Sequence, residues 1–190
     1  MEIILKSVRT AFMNIHSPKA MANDANSKPA YGSKLIIEPG SDNDKAIQAA
    51  MLKVAEEKWP GKGKATLDKL IADKKTCYQM SEYQNKDGDA YDGFQAMYSL
   101  STRSEKLKPT VKNRFNADVA EGEQGSPYPG CYVHAAVDIW PQDNQFGRRI
   151  NGTLQGVMFA GDGAAFSGAR PASDSTFANM AAEPTTADLV

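Results

Sequence analysis

The sequence predicts a mainly β protein, a small barrel of five to six strands with one helix inserted after the second strand and a disordered C-terminal tail. Three observations carry this. Several segments, most cleanly residues 131–140, alternate apolar and polar side chains with a period of two, as half-buried strands do. The clearest apolar repeat at helical spacing, Ile47, Ala50, Met51, Val54 and Ala55, runs to about Lys58. The segments are punctuated by breaks rich in Pro, Gly, Asn and Asp.

The elements follow in order. Residues 2–16 are rich in β-formers and read as a long strand, with Ile3, Leu5, Ala11, Met13 and Ile15 on one face and Lys6, Thr10, Phe12, Asn14 and His16 on the other. Residues 17–30 break it as a mobile loop, and residues 31–38 form a second strand ended by Pro39-Gly40. Ser41 is the expected N-cap, with Asp42 and Asp44 in the first helical turn. Ile47, Ala50, Met51, Val54 and Ala55 form the buried stripe, and Trp59-Pro60-Gly61 stops the helix. The stretch after it, KWPGKGKATLDKL, reads as a basic loop, and residues 81–93 as a polar one.

Residues 94–103 alternate with Phe94, Ala96, Tyr98 and Leu100 inward, and a short strand begins near Thr110-Val111. An acidic, glycine-containing loop covers residues 116–130. Cys131, Val133, Ala135, Val137 and Ile139 then point inward, PQDNQFG turns the chain, and residues 148–160 return. In that return Ile150, Leu154 and Met158 are expected inside, and Arg149, Asn151, Thr153 and Gln155 outside. From Gly161 onward Ala, Gly, Ser, Thr and Pro dominate, so the expected organisation is one domain over residues 1–172 and a flexible tail over 173–190.

The length of 190 residues suits a single core. No run approaches the roughly 18 apolar residues of a membrane span, and the opening MEIILKSVRT has no apolar signal region. The protein is therefore expected to act in the cytoplasm, away from membranes. Cys77 and Cys131 are far apart with no CxxC pair, and read as buried thiols. The net charge of −1 hides an asymmetry. Residues 1–115 carry 19 Lys and Arg against 14 Asp and Glu, and residues 116–190 carry 3 against 9. Basic charge in front suits a phosphate-bearing partner.

Enzyme signatures fail. Gly61-Lys62-Gly63-Lys64 continues with Ala65, so the Lys-[Ser/Thr] ending of a phosphate loop is absent. His16 and His134 fall on separate strands without carboxylate or thiolate companions, so no metal site, cofactor or catalytic residue is expected. What remains is aromatic residues interleaved with basic ones. Lys58, Lys62 and Lys64 surround Trp59 on the basic loop, where lysine would neutralise phosphate and an indole would stack on a base. Equally, Trp59 could be a plug that ends the helix and packs on the barrel. Arg103, Tyr132, Trp140, Arg148 and Arg149 fall on outward strand phases, where as a set they suit binding although Tyr132 and Trp140 could each instead cover the barrel under the helix or loops, and Tyr31 and Lys34 open the second strand. Tyr98 is a further candidate platform, although its phase points to the core.

The segments RTAFMNIHSPK, YGSKLIIEPGSDNDKAIQAAMLKVAEEKWPGK, YDGFQAMYSLSTRSEKLKPTV, PYPGCYVHAAVDIWPQDN and GRRINGTLQGVMFAGDG, in this order, resemble a family of phage single-stranded DNA-binding proteins with an OB fold. The family was long known only as a phage domain of unknown function. The likeness covers residues 9–172. It implies a coat on single strands that self-associates, serves phage replication and recombination in the infected bacterial host, and recruits polymerase or helicase through an acidic, aromatic-tipped tail. The tail here, AAEPTTADLV, departs from that pattern, carrying only Glu183 and Asp188 and no terminal aromatic. The competing expectation is a phage structural or assembly protein whose aromatics meet other proteins.

Overall fold

The computed structural model describes residues 1–20 and 27–166. The expected mobile loop falls partly, and the expected tail with its recruitment of polymerase or helicase wholly, outside the described residues. Seven strands and two helices follow one another: β1 (Glu2–Lys19), β2 (Ala30–Ile37), α1 (Asp42–Lys58), α2 (Gly63–Ala72), β3 (Tyr78–Gln79), β4 (Tyr98–Ser101), β5 (Thr110–Lys112), β6 (Tyr132–Asn144) and β7 (Gly147–Gly161). They form one sheet in the order β3-β4-β2-β1-β6-β7-β5, antiparallel except for β5 against β7. The sheet then returns on itself. A parallel bridge joins Thr76 to Ile150, the Cys77 amide donates to the Ile150 carbonyl at 2.8 Å, and the Arg103 amide to the Gly152 carbonyl at 2.9 Å. The result is a barrel filled by Leu5, Leu35, Leu100, Ile139 and Leu154, with Ile47 and Met51 of α1 packed into the same core.

Helix α1 starts where the sequence places it. The Ser41 hydroxyl accepts from the Asp44 amide at 3.2 Å, capping the first turn. Asp44 is itself buried, and its carboxylate accepts from Gln48 at 2.6 Å, from the Gly40 amide at 2.8 Å and from the Tyr78 hydroxyl at 2.7 Å. Burial pushes this carboxyl up, but the three donors outweigh it and hold Asp44 below the ordinary aspartate value. The cluster fastens the start of α1 to β3.

Two expectations are corrected. The basic loop after Trp59 is mostly helical, because Leu67, Leu70 and Ile71 give residues 63–72 an apolar stripe that packs on the core. Its glycines are structural. Gly61 turns the chain at φ +72°, and Gly63 lies so close to α1 that an added Cβ would stand 2.5 Å from the Glu56 Cα. The phase of two strands also slips at bulges. Ser7 (φ 49°) and Phe12 (φ 50°) interrupt β1. As a result Val8 and Thr10 follow Ile3 and Leu5 into the barrel, while Ala11 is buried on the outer face. In β7, Ala136 pairs with Gly156 but Val137 with Leu154, so Gln155 is the extra residue. Beyond it Val157 and Phe159 point inward, and Met158, expected inside, lies on the other face.

Candidate nucleic-acid interface

The strand alternation dictates what faces solvent around the closure. Thr102 is buried, its hydroxyl donating to the Ser33 carbonyl at 2.8 Å and accepting from the Ser33 amide at 2.9 Å. Its neighbours Ser101 and Arg103 therefore face out. On β7, Ile150, Gly152 and Leu154 are buried, so Arg149, Asn151 and Thr153 face out beside them. On β6, Ile139 is buried and Trp140 is 38 % exposed, with its indole N–H donating to the Thr153 hydroxyl at 3.0 Å.

These outward residues line an open groove of about 600 Å³, whose charged groups are Lys75, Arg103, Lys106 and Arg149 against the single carboxylate of Glu105. Arg103 donates to the Lys28 carbonyl at 2.7 Å and stands 3.5 Å from Glu105. Arg149 and Lys106 have no carboxylate partner among the described residues. A second groove of about 390 Å³ adjoins it, lined by Lys62, Lys69, Lys75 and Arg148 with Asp73 the one acid. Lys75 lines both, so the two grooves form one cationic track from α2 across the barrel closure.

The track continues past Ser101. Lys34 Nζ donates to the Ser101 hydroxyl at 2.6 Å and sits 3.7 Å above the Tyr83 ring. Burial lowers the Lys34 ammonium to about 8. Tyr83 stacks on Tyr91 with centroids 5.3 Å apart and planes at 18°, and Phe12 meets both edge-on at 5.8 and 5.4 Å. Beneath them Phe94, Ala11 and Ile36 form a small buried cluster on the outer face of β1 and β2.

Of the residues singled out from the sequence, the structure brings Lys62, Arg103, Trp140, Arg148 and Arg149 onto the track, with Lys34 at its border. Tyr31 also borders it through its backbone pairing with Ser104, which lines the larger groove. The others lie elsewhere. Trp59 is 8 % exposed and belongs to the core, its indole N–H donating to Asp143 Oδ2 at 2.7 Å. Arg148 donates to the same oxygen at 3.1 Å. The Trp59 hydrogen bond and the Arg148 charge hold the Asp143 carboxyl below its ordinary value, so this trio ties the end of α1 to the β6–β7 hairpin. Tyr98 packs edge-on against the buried Tyr78 at 6.0 Å and is half-buried on the core. Lys64 pairs with Asp68 at 3.0 Å on the exposed side of α2, and Lys58, exposed at the end of α1, lines neither groove. Tyr132 is exposed but lies eight residues up β6 from Trp140, about 26 Å along a strand. Sequence reasoning missed Lys75, Lys106, Phe12, Tyr83 and Tyr91. The signals were present as the doublet Lys74-Lys75, the basic run around Lys106-Lys108, and two tyrosines flanking the turn NKDGD.

No helix among the described residues is long and apolar enough to cross a membrane. Among the same residues no three His, Cys, Asp or Glu side chains stand together as metal ligands do.

The family model of the Enterobacter phage Enc34 single-stranded DNA-binding protein matches residues 1–189. The chain belongs to this family. A relative within reach of direct comparison is the protein designated p50 of Acyrthosiphon pisum secondary endosymbiont phage 1, 33 % identical over 184 residues that cover 95 % of this chain and 94 % of p50. The single-stranded DNA-binding protein of bacteriophage Enc34, solved in complex with single-stranded DNA, superposes with a TM-score of 0.69 at 20 % identity, over 87 % of this chain and 89 % of that one. Gp2.5, the single-stranded DNA-binding protein of bacteriophage T7, follows with a TM-score of 0.52 at 16 % identity, over 97 % and 98 %. At these identities the likeness is one of fold, and it places the barrel among OB-type phage proteins.

Proposed function

We propose that the chain binds single-stranded DNA without sequence preference along the cationic track, covering it during phage DNA replication and recombination in the infected bacterial cell. The observation that carries this is the convergence of Lys75, Arg103, Lys106 and Arg149 around the exposed Trp140 in one open groove. Cations there replace the counterions of the phosphates, and an indole held by its N–H to Thr153 offers its face to a base. Membership of the Enc34 family supports the reading. An unpaired strand fits because stacking needs base faces that a duplex conceals. Stacking reads no base edges, so the binding tolerates any sequence.

Salt tests the electrostatic part. Four phosphate contacts on a single strand give a slope of about −3 in log affinity against log salt, a loss of roughly fiftyfold between about 50 and about 200 mM. Oligo-dT titrations should follow that slope, and Arg149→Ala and Lys75→Ala should each weaken binding and flatten the slope by about 0.7. An affinity indifferent to salt would refute the assignment.

A further inference from the structure

We infer that the Phe12–Tyr83–Tyr91 cluster is a base-stacking platform that receives the strand as it leaves the cationic groove, with Lys34 holding the phosphate between the two. The inference rests on the reading of the groove as a DNA track and adds to it a subsite made by a different part of the chain. Residues 83–91 fold back as a tight hairpin-like loop. The Tyr91 amide donates to the Tyr83 carbonyl at 3.0 Å, the Asn85 amide to the Asp89 carbonyl at 2.8 Å, and Asn85 Oδ1 accepts from the amides of Asp87 and Asp89 at 2.9 and 3.0 Å. The Ala96 amide, donating to Glu82 at 2.5 Å, fastens the far side of the loop. This framework sets the two tyrosine rings parallel and fixes them over the barrel wall.

A loop pinned in this way could have hidden its rings against the barrel. Phe94 does so, but Phe12 remains 50 % exposed and Tyr91 39 % exposed. Phe12 also sits at φ 50°, a backbone region that a bulky side chain rarely adopts, at the β1 bulge that turns its ring toward the tyrosines. The rings are continuous with the groove. Lys34 touches Ser101, which lines the groove, and lies over the face of Tyr83. Tyr83 itself is covered by Lys34 and stacked on Tyr91, so a strand crossing Lys34 passes over it to the exposed rings of Tyr91 and Phe12. The ring faces are uncharged and the loop that carries them bears Lys86 against Asp87 and Asp89, with Glu82 and Asp92 at its ends, so the platform adds no cationic surface and its contribution is stacking, which is sequence-tolerant and nearly independent of salt.

The experiment compares the full chain with Tyr91→Ala, Tyr91→Phe and Arg149→Ala, measuring affinity for labelled oligo-dT and for the same length carrying abasic residues, across salt. Tyr91→Ala should weaken dT binding about tenfold with an unchanged salt slope, and Tyr91→Phe should bind as the native chain does. On the abasic strand the native chain and Tyr91→Ala should bind alike. Thermal melting monitors the loop, and Tyr91→Leu, which keeps apolar bulk without a ring face, replaces Tyr91→Ala should that variant melt early. Native affinity for dT in Tyr91→Ala or Tyr91→Leu would assign the rings to structural cover or a protein partner and overturn the inference. An equal loss on dT and abasic strands would overturn it too. Arg149→Ala separates the two readings: if it flattens the salt slope while the Tyr91 variants change nothing, the groove stands and the platform falls. If the native chain fails to bind dT, both fall.

Discussion

Lys34 is the residue where burial and function meet most directly. Its ammonium is wedged between Ser101 and the Tyr83 ring, and burial brings it down to about 8. In the unfolded chain the same group titrates near 10.4. Across that window the unfolded chain binds the extra proton, so the Lys34 contribution to stability rises with pH. DNA binding runs the other way, because the phosphate wants the charge that the free protein has released. Affinity for oligo-dT should therefore fall as pH climbs from about 7 to about 9, and Lys34→Arg, whose guanidinium stays charged, should flatten the profile. Tyr83 does not confuse the measurement, since burial and the neighbouring Tyr91 raise its hydroxyl above the ordinary tyrosine value. The two tryptophans divide cleanly. Trp59→Phe removes the bond to Asp143 and should cost about 1–3 kcal/mol of stability while DNA still quenches the remaining indole. Trp140→Phe should leave the melting temperature nearly unchanged and abolish the quenching. The sequence put both among lysines and arginines and could not separate them. The partner that draws Trp59 inward lies 84 residues away, and no local pattern encodes it.

Elements were legible where one period runs unbroken. The alternation of residues 131–140 and the capped stripe of α1 are both as the sequence describes them. Legibility failed at bulges, since a single extra residue such as Gln155 reverses every later side chain and leaves no mark in composition. It failed again at α2, where two glycines among lysines look like a flexible loop although each answers a geometric demand. Gly63 makes the point testable. Alanine is the better helix former by about 1 kcal/mol, yet its methyl would meet the α1 backbone at Glu56. Overpacking of this kind costs about 1–3 kcal/mol, so Gly63→Ala should lower the midpoint of urea unfolding. A rise would mean that the two helices are free to separate. Because Lys62 and Lys69 ride on α2, any such separation also pulls cations off the smaller groove.

At the scale of the whole molecule the candidate site lies at the seam where the barrel shuts. Arg103 and Arg149 are 46 residues apart, and they become neighbours because the Arg103 amide bonds to Gly152 across that seam. Composition revealed the chemistry, an excess of basic residues in the first 115 positions, but only closure gathers it on one flank. The seam has a further consequence. The bridge from Thr76 to Ile150 occupies backbone donors and acceptors that an open sheet would leave bare, and the short β5 is covered by its own turn through the Val119 amide bond to Val111. The described strands therefore offer little exposed ladder onto which another chain could zip. A partner that docks on the described barrel is left with side chains, a surface that can release it, and not with an edge onto which a sheet could grow.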